Sequence, residues 1–150
     1  MRTRAIIGLA VMAGLILAGC STENVADLRP GDCFNLALTF ETQEISRVPT
    51  VECSKEHTAE VFLVSDLVST IPAYDEDTIF SQGIDKCLGA FEGYVGVDYF
   101  DPMAADLDVF VVYPLKDAWD QGERGVTCAI IPLDPDGKLT GSQKNAFAAD

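Results

Sequence analysis

The chain has 150 residues, with 24 Asp and Glu against 10 Lys and Arg and a formal charge of −14 at pH 7. So acidic a surface repels nucleic acid and anionic headgroups, which excludes nucleic-acid binding from the expected functions. Apolar residues make up 48%, enough to argue against disorder, and the length suits one domain with a real core rather than two large lobes.

The compartment is read from the first residues. Met1-Arg2-Thr3-Arg4 is a short positive stretch, and Ala5 to Leu17 is apolar without a charge. That run falls short of the roughly 20 residues a bilayer span needs. It ends in Leu17-Ala18-Gly19-Cys20, small residues just ahead of a cysteine. A positive start, a short apolar run and small residues at the end make a secretory signal. The Arg-Thr-Arg start is not a twin-arginine signal. The Leu-Ala-Gly-Cys end resembles the lipobox of bacterial lipoproteins. That resemblance implies a signal peptide over 1–19, cleavage after Gly19, and a diacylglyceryl thioether with palmitate-like acyl chains on Cys20. Two or three acyl chains on one residue suffice for stable anchoring. The expected location is therefore the extracytoplasmic face of the cell membrane, with the membrane itself as a partner through the lipid. Loss of Arg2 and Arg4 takes Lys and Arg from 10 to 8 against 24 acids, so the charge moves from −14 to −16. Salt screens that repulsion within about 8 Å, so the acyl anchor can still hold the domain at the bilayer.

With Cys20 given to lipid, Cys33, Cys53, Cys87 and Cys128 remain. Four cysteines in an oxidising exterior suggest two disulfides with three connectivities. No Cys-x-x-Cys redox motif is present.

Along the chain, 20–30 is polar and short and reads as a tether. Gly31-Asp32 signals a turn, and Phe34, Leu36 and Leu38 then alternate as in a half-buried strand. Glu41 to Arg47 reads as loop. A short strand around Val48 to Cys53 is expected at an edge, because Pro49 cannot donate to a ladder. Ser54 to Thr58 is a polar turn holding His57, and Ala59 to Val64 has the apolar, β-branched run of a more central strand. After a loop over Ser69 to Asp77, Phe80, Ile84, Cys87, Leu88, Phe91 and Val95 recur at helical spacing, with Asp77 as cap and Gly96 as stop. Gly83 and Gly89 cost this helix roughly 1 kcal/mol each relative to alanine, unless they permit close packing on a sheet. Leu107, Val109, Val111 and Tyr113 form one face of a strand, and Val126, Cys128 and Ile130 one face of the next. Their connection holds Pro114, Trp119 and a turn over Gly122 to Gly125. Asp134-Pro135-Asp136-Gly137 closes the last strand, and 134–150 reads as a frayed tail.

Strands, one helix and a hairpin predict an α+β domain: a small antiparallel sheet with one main helix packed on a face. Cys87 then sits on the buried helix face and Cys128 on an inward strand face, while Cys33 and Cys53 lie on early strands able to be neighbours. The expected bridges are Cys33–Cys53 and Cys87–Cys128, each contributing about 2–4 kcal/mol.

Four motifs in order carry a further resemblance. They are Gly31-Asp32-Cys33-Phe34; Val51-x-Cys53-x3-His57-x2-Glu60-Val61; Cys87-x3-Phe91-x2-Tyr94-Val95-Gly96; and Tyr113-Pro114-x4-Trp119-x2-Gly122-x-Arg124-x-Val126-x-Cys128. The chain resembles the septum-formation domain family of actinobacterial membrane proteins and lipoproteins over roughly Leu28 to Leu133, which sets the expected domain at 31–133. The resemblance implies a disulfide-bonded envelope domain linked to cell division. It implies no catalytic residue, cofactor or ligand.

Cys53, His57 and Glu60 are the first candidates for chemistry, because Cys, His and carboxylate are zinc ligands. One histidine and cysteines consumed by disulfides make a thin ligand pool, so no metal and no cofactor is expected. A bonded Cys53 has no thiolate to attack with, and no Gly-x-Ser-x-Gly elbow is present. The Asp134 to Gly137 run places its glycine too early for an EF-hand loop. No catalytic residue is assigned, and the expected role is non-enzymatic, through a protein or cell-wall partner. The alternative is a metal-dependent hydrolase using His57 and Glu60. Trp119, Arg124 and His57 are the candidate partner contacts, an exposed Trp beside Arg being able to grip a partner or a sugar ring. The competing arrangement has Trp119 folded back over the hairpin end and Arg124 paired with a carboxylate.

Overall fold

The computed structural model describes residues 22–36, 45–68 and 71–148. The signal segment 1–19, Cys20 and Leu38 lie outside them. No helix among the described residues is long and apolar enough to cross a membrane.

Six strands form one sheet in the order β1-β3-β2-β4-β6-β5. They are β1 (Thr22–Asn24), β2 (Cys33–Phe34), β3 (Arg47–Val51), β4 (Ala59–Asp66), β5 (Leu107–Val112) and β6 (Gly125–Pro132), and all neighbours are antiparallel. With one main helix, α1 (Glu76–Val95), this is the expected α+β class. β4 takes the central place its apolar run predicts, between β2 and β6.

Two expectations at the start of the chain need correcting. β3 is not an edge strand, because β1 pairs outside it with Thr22 opposite Pro49. Pro49 needs no partner for an N–H it lacks, and its carbonyl accepts from the Asn35 N–H at 3.1 Å. Nor is 20–30 merely a tether, since Val25 and Leu28 are buried beside Phe34, Val48 and Val61. Two apolar residues in a polar stretch are too few to show periodicity, yet they cover one face of the sheet.

The helix cap lies two residues earlier than the expected Asp77. Asp75, in extended conformation, accepts the Thr78 N–H at 2.8 Å, and Gly96 ends the helix at φ 100°. The buried stripe is Ile79, Gly83, Cys87, Phe91, Tyr94 and Val95. Phe80 instead lies 45% exposed, edge-on to Tyr113. Of the two glycines, only Gly83 sits against the sheet: a Cβ there would lie 3.0 Å from a Val111 methyl and 3.3 Å from a Val126 methyl. Gly89 faces open space. Cys87 bonds Cys128 on β6 with a Cα separation of 5.5 Å, stapling helix to sheet as expected.

The 134–150 segment is not frayed over its described part. His57 and Leu139 exchange two backbone hydrogen bonds, of 3.0 and 2.9 Å, and the Gly141 N–H bonds the Cys53 carbonyl at 2.8 Å. Further on, Asn145 and Phe147 donate to the carbonyls of Tyr94 and Val95 at the end of α1. A side chain on Gly96 would run into Ala148. The segment is polar and lacks a period, but its backbone is satisfied by the body of the domain.

Candidate functional site

Side chains alternate across β4, so Ala59 and Val61 face one side of the sheet while Glu60 and Phe62 face α1. Cys33 on β2 stands directly opposite Glu60 in the ladder, which places the two side chains on the same face. Cys53, in the turn after β3, bonds Cys33 with a Cα separation of 5.2 Å. His57 follows in that turn and is pinned from outside by Leu139. One ligand atom from each of Cys33, His57 and Glu60 lies within 4.8 Å of the others. The sequence motif named Cys53 as the third member, but the ladder register brings Cys33 there instead.

Both His57 and Glu60 are 0% exposed. A buried carboxylate requires donors, and Glu60 has three. Oε1 accepts from the Tyr94 hydroxyl at 2.7 Å and from the Ser142 hydroxyl at 2.6 Å, and Oε2 accepts from the Gln143 N–H at 2.6 Å. Burial, reinforced by the bond to Glu60, pushes the Tyr94 phenol well above its ordinary value. The hydroxyl therefore stays protonated and donating. His57 Nδ1 lies 2.8 Å from the Lys55 carbonyl. A carbonyl only accepts, so Nδ1 carries a proton, and of the two neutral tautomers only the one with its lone pair on Nε2 fits. That Nε2 is buried and meets no hydrogen-bond partner among the described residues.

This geometry is closed. A hydrolytic zinc needs an open coordination position for water, and neither His57 nor Glu60 offers a surface to solvent. Two of the cluster's members, Ser142 and Gln143, carry no signal in the sequence, and Tyr94 enters there only as part of a family motif. The available signal was Glu60 itself, a charge inside the apolar run Ala59 to Val64, which demands donors from somewhere. Nothing local said that two would come from residues 82 and 83 positions away.

The other candidate contacts are also folded inward. Trp119, on the short helix α2 (Lys116–Asp120), is 5% exposed and meets Tyr74 edge-on. The Arg124 guanidinium stacks 3.6 Å above the Trp119 ring and donates to the carbonyls of Trp119 and Glu123. Trp119 thus covers the connection between β5 and β6, and Arg124 serves backbone oxygens rather than a carboxylate. Neither Trp119 nor His57 presents a face to a partner. Large apolar side chains do emerge elsewhere. Phe100 is 81% exposed, Met103 59% and Leu133 57%. The first two lie on the segment leading into β5, and the Leu133 N–H bonds Asp106 on that segment at 2.9 Å. A shallow groove of about 430 Å³ is lined by Leu107, Pro132, Leu139 and, of these exposed residues, Leu133.

No curated protein and no solved structure matches the chain. A family model described as septum formation matches residues 29–150. The match runs through the C-terminal segment, past the Leu133 limit expected from the motifs, and so takes in the residues that close over Glu60. The match over residues 29–150, most of the length, places this chain in the septum-formation family, which links it to cell division.

Proposed function

We propose that the protein is a lipid-anchored, extracytoplasmic domain that binds a protein or cell-wall component of the envelope in the service of cell division, without catalysing a reaction. The observation that carries the binding role is the exposure of the large apolar side chains Phe100, Met103 and Leu133, the last of them lining the Leu107–Leu139 groove. An apolar groove that Asp106 and Asp134 also line, with large apolar side chains exposed, is the kind of surface a partner covers. The anchor rests on the Leu17 to Cys20 resemblance. Family membership supplies the division setting.

Photo-crosslinkers placed at Phe100 and at exposed Glu23 in growing cells, followed by mass-spectrometric identification, test the binding role. Phe100 should capture a specific envelope component that Glu23 does not. Equal capture at both positions, or none at Phe100, overturns it. Fractionation of Cys20→Ala tests the anchor, since that variant should leave the membrane fraction.

A further inference from the structure

The Cys33–Cys53 bridge differs from its counterpart in what surrounds it. Its Cys33 sulfur lies within 4.8 Å of a ring nitrogen of buried His57 and a carboxylate oxygen of buried Glu60. Three donors fill three of the Glu60 carboxylate's roughly four lone-pair positions, leaving one on Oε2. A His57 ring nitrogen lies within 4.8 Å of the Cys33 and Glu60 ligand atoms; Nδ1 is taken by the Lys55 carbonyl, whereas Nε2 is fully buried and meets no hydrogen-bond partner among the described residues. A buried ring nitrogen without a hydrogen-bond partner is costly unless something engages it. Disulfide sulfur is a poor ligand and thiolate a strong one.

We propose that reduction of Cys33–Cys53 converts this cluster into a closed, four-ligand site for a zinc-like divalent cation, held by Cys33, Cys53, His57 Nε2 and Glu60. The reductant is a dithiol. Its thiolate attacks Cys53 Sγ, the more accessible sulfur, because Cys53 is half-buried while Cys33 is 2% exposed. The S–S bond breaks and its electron pair leaves on Cys33. The reductant's second thiol then resolves the mixed disulfide and frees Cys53. Two electrons and two protons reach the protein's sulfurs, and the dithiol departs as its own disulfide. Cation binding then releases the two thiol protons to solvent. A tetrahedral zinc holds its ligand atoms about 2.0–2.3 Å away, and so roughly 3.3–3.8 Å from one another. The present spread of 4.8 Å among Cys33, His57 and Glu60 therefore has to contract by only about 1 Å, once breaking the S–S bond lets both sulfurs move. The Lys55 carbonyl on Nδ1 and the donors on Glu60 already hold ring and carboxylate in orientation, as outer partners do around bound metals. With all four positions filled by protein the site is structural, and it replaces one crosslink of this corner by another.

Titrating Co2+ into the full chain, purified in detergent with and without a phosphine reductant, tests this directly. The reduced chain should take up one Co2+ with a thiolate-to-cobalt charge-transfer band and tetrahedral d–d bands, and Zn2+ should displace it. The oxidised chain should show neither. His57 is the only histidine, so the 15N signal of its Nε2 reports ligation in the unmutated chain and should move on adding Zn2+ only after reduction. Glu60→Gln should weaken the cation by more than about tenfold, while Cys87→Ser with Cys128→Ser should leave the cobalt bands intact. The proposal is overturned if the reduced chain binds no Co2+, whether or not it keeps its fold. It is equally overturned if the bands survive Cys33→Ser, or if Nε2 does not respond.

Discussion

The Cys87–Cys128 bridge ties α1 to β6 amid Phe62, Phe91, Val111 and Val126, whereas the Cys33–Cys53 bridge ties β2 to a turn beside His57 and Glu60. Around the first, stabilisation is area-proportional and non-directional, about 1.5–3 kcal/mol for each large apolar side chain buried. Around the second it is directional, because a buried carboxylate is tolerable only while its donors stay in place. One region degrades gradually under mutation, and the other fails as a unit.

The largest test of that difference is Glu60→Ala. It leaves the buried Tyr94 hydroxyl without its acceptor, worth about 1–3 kcal/mol, and removes the acceptor of the more exposed Ser142 hydroxyl and Gln143 N–H, each bond worth about 0.5–1.5 kcal/mol. The expected loss is at least about 2 kcal/mol in urea unfolding, with faster hydrogen exchange at Gly141, Asn145 and Phe147 as the C-terminal segment lifts away. Ser142→Ala, which removes one donor and leaves two, should cost about 1 kcal/mol. A Glu60→Ala cost no greater than that of Ser142→Ala would break the contrast between the regions.

Next come the bridges themselves. Replacing either pair by alanine should cost about 2–4 kcal/mol. Cys87–Cys128 spans 41 residues and Cys33–Cys53 spans 20, and a doubling of loop length adds about 0.6 kcal/mol of closure entropy. On loop entropy alone the Cys87–Cys128 variant is the less stable. If the Cys33–Cys53 variant proves less stable, its bridge also holds the Glu60 cluster together.

Within the apolar region the two helix glycines give a smaller and signed effect. Gly83→Ala gains about 1 kcal/mol of helix propensity, but its methyl presses on branched side chains from two strands, an overpacking that costs about 1–3 kcal/mol. The net expectation is destabilisation by about 1 kcal/mol. Gly89→Ala meets nothing within 4 Å and should stabilise by about 0.5–1 kcal/mol. Thermal unfolding of the two variants with opposite shifts supports the packing described; a stabilising Gly83→Ala contradicts it.

The same contrast explains how much the sequence could tell. The apolar half was legible because periodicity reports it: Cys87, Phe91 and Val95 marked the helix face, Val126, Cys128 and Ile130 the strand face, and together they gave the Cys87–Cys128 pairing. Phe80 was misplaced because it lies at the edge of that stripe, where Tyr113 covers it only in part. The polar half was legible only in pieces. Cys33–Cys53 followed from neighbouring strands, but Ser142 and Gln143 come from a segment without period or turn signal that reaches Glu60 across more than 80 residues. Of the two arrangements the sequence allows for Trp119, the structure has it covering the end of its connection, while the charge on Arg124 suggests a carboxylate where backbone oxygens are used.

The smallest effect lies in alkaline titration. Tyr99 is pushed up to about 12, first by donating to Asp108 and then by burial. Tyr113 rises to about 12, first by burial and then by donating to Glu76. Tyr94 in the polar cluster and Tyr74 beside Trp119 are raised as well, both chiefly by burial, so none of the chain's 4 tyrosines should ionise at its ordinary value while the fold persists. A raised tyrosine keeps its proton in the folded chain where the unfolded chain has lost it. Its stabilisation is complete below about pH 10 and is lost as the pH climbs through about 12. Tyr99 and Tyr113 are partly open to solvent, which screens their acceptors and keeps the energetic effect small. Tyrosinate absorbance should therefore stay flat through pH 10 and rise only toward pH 12, with stability falling over the same window. In Glu60→Gln the acceptor for Tyr94 loses its charge, so one phenol of the four should titrate earlier than in the parent chain. No change in that curve would mean that Tyr94 is held up by burial alone, and the directional character assigned to the polar region would then rest on Ser142 and Gln143.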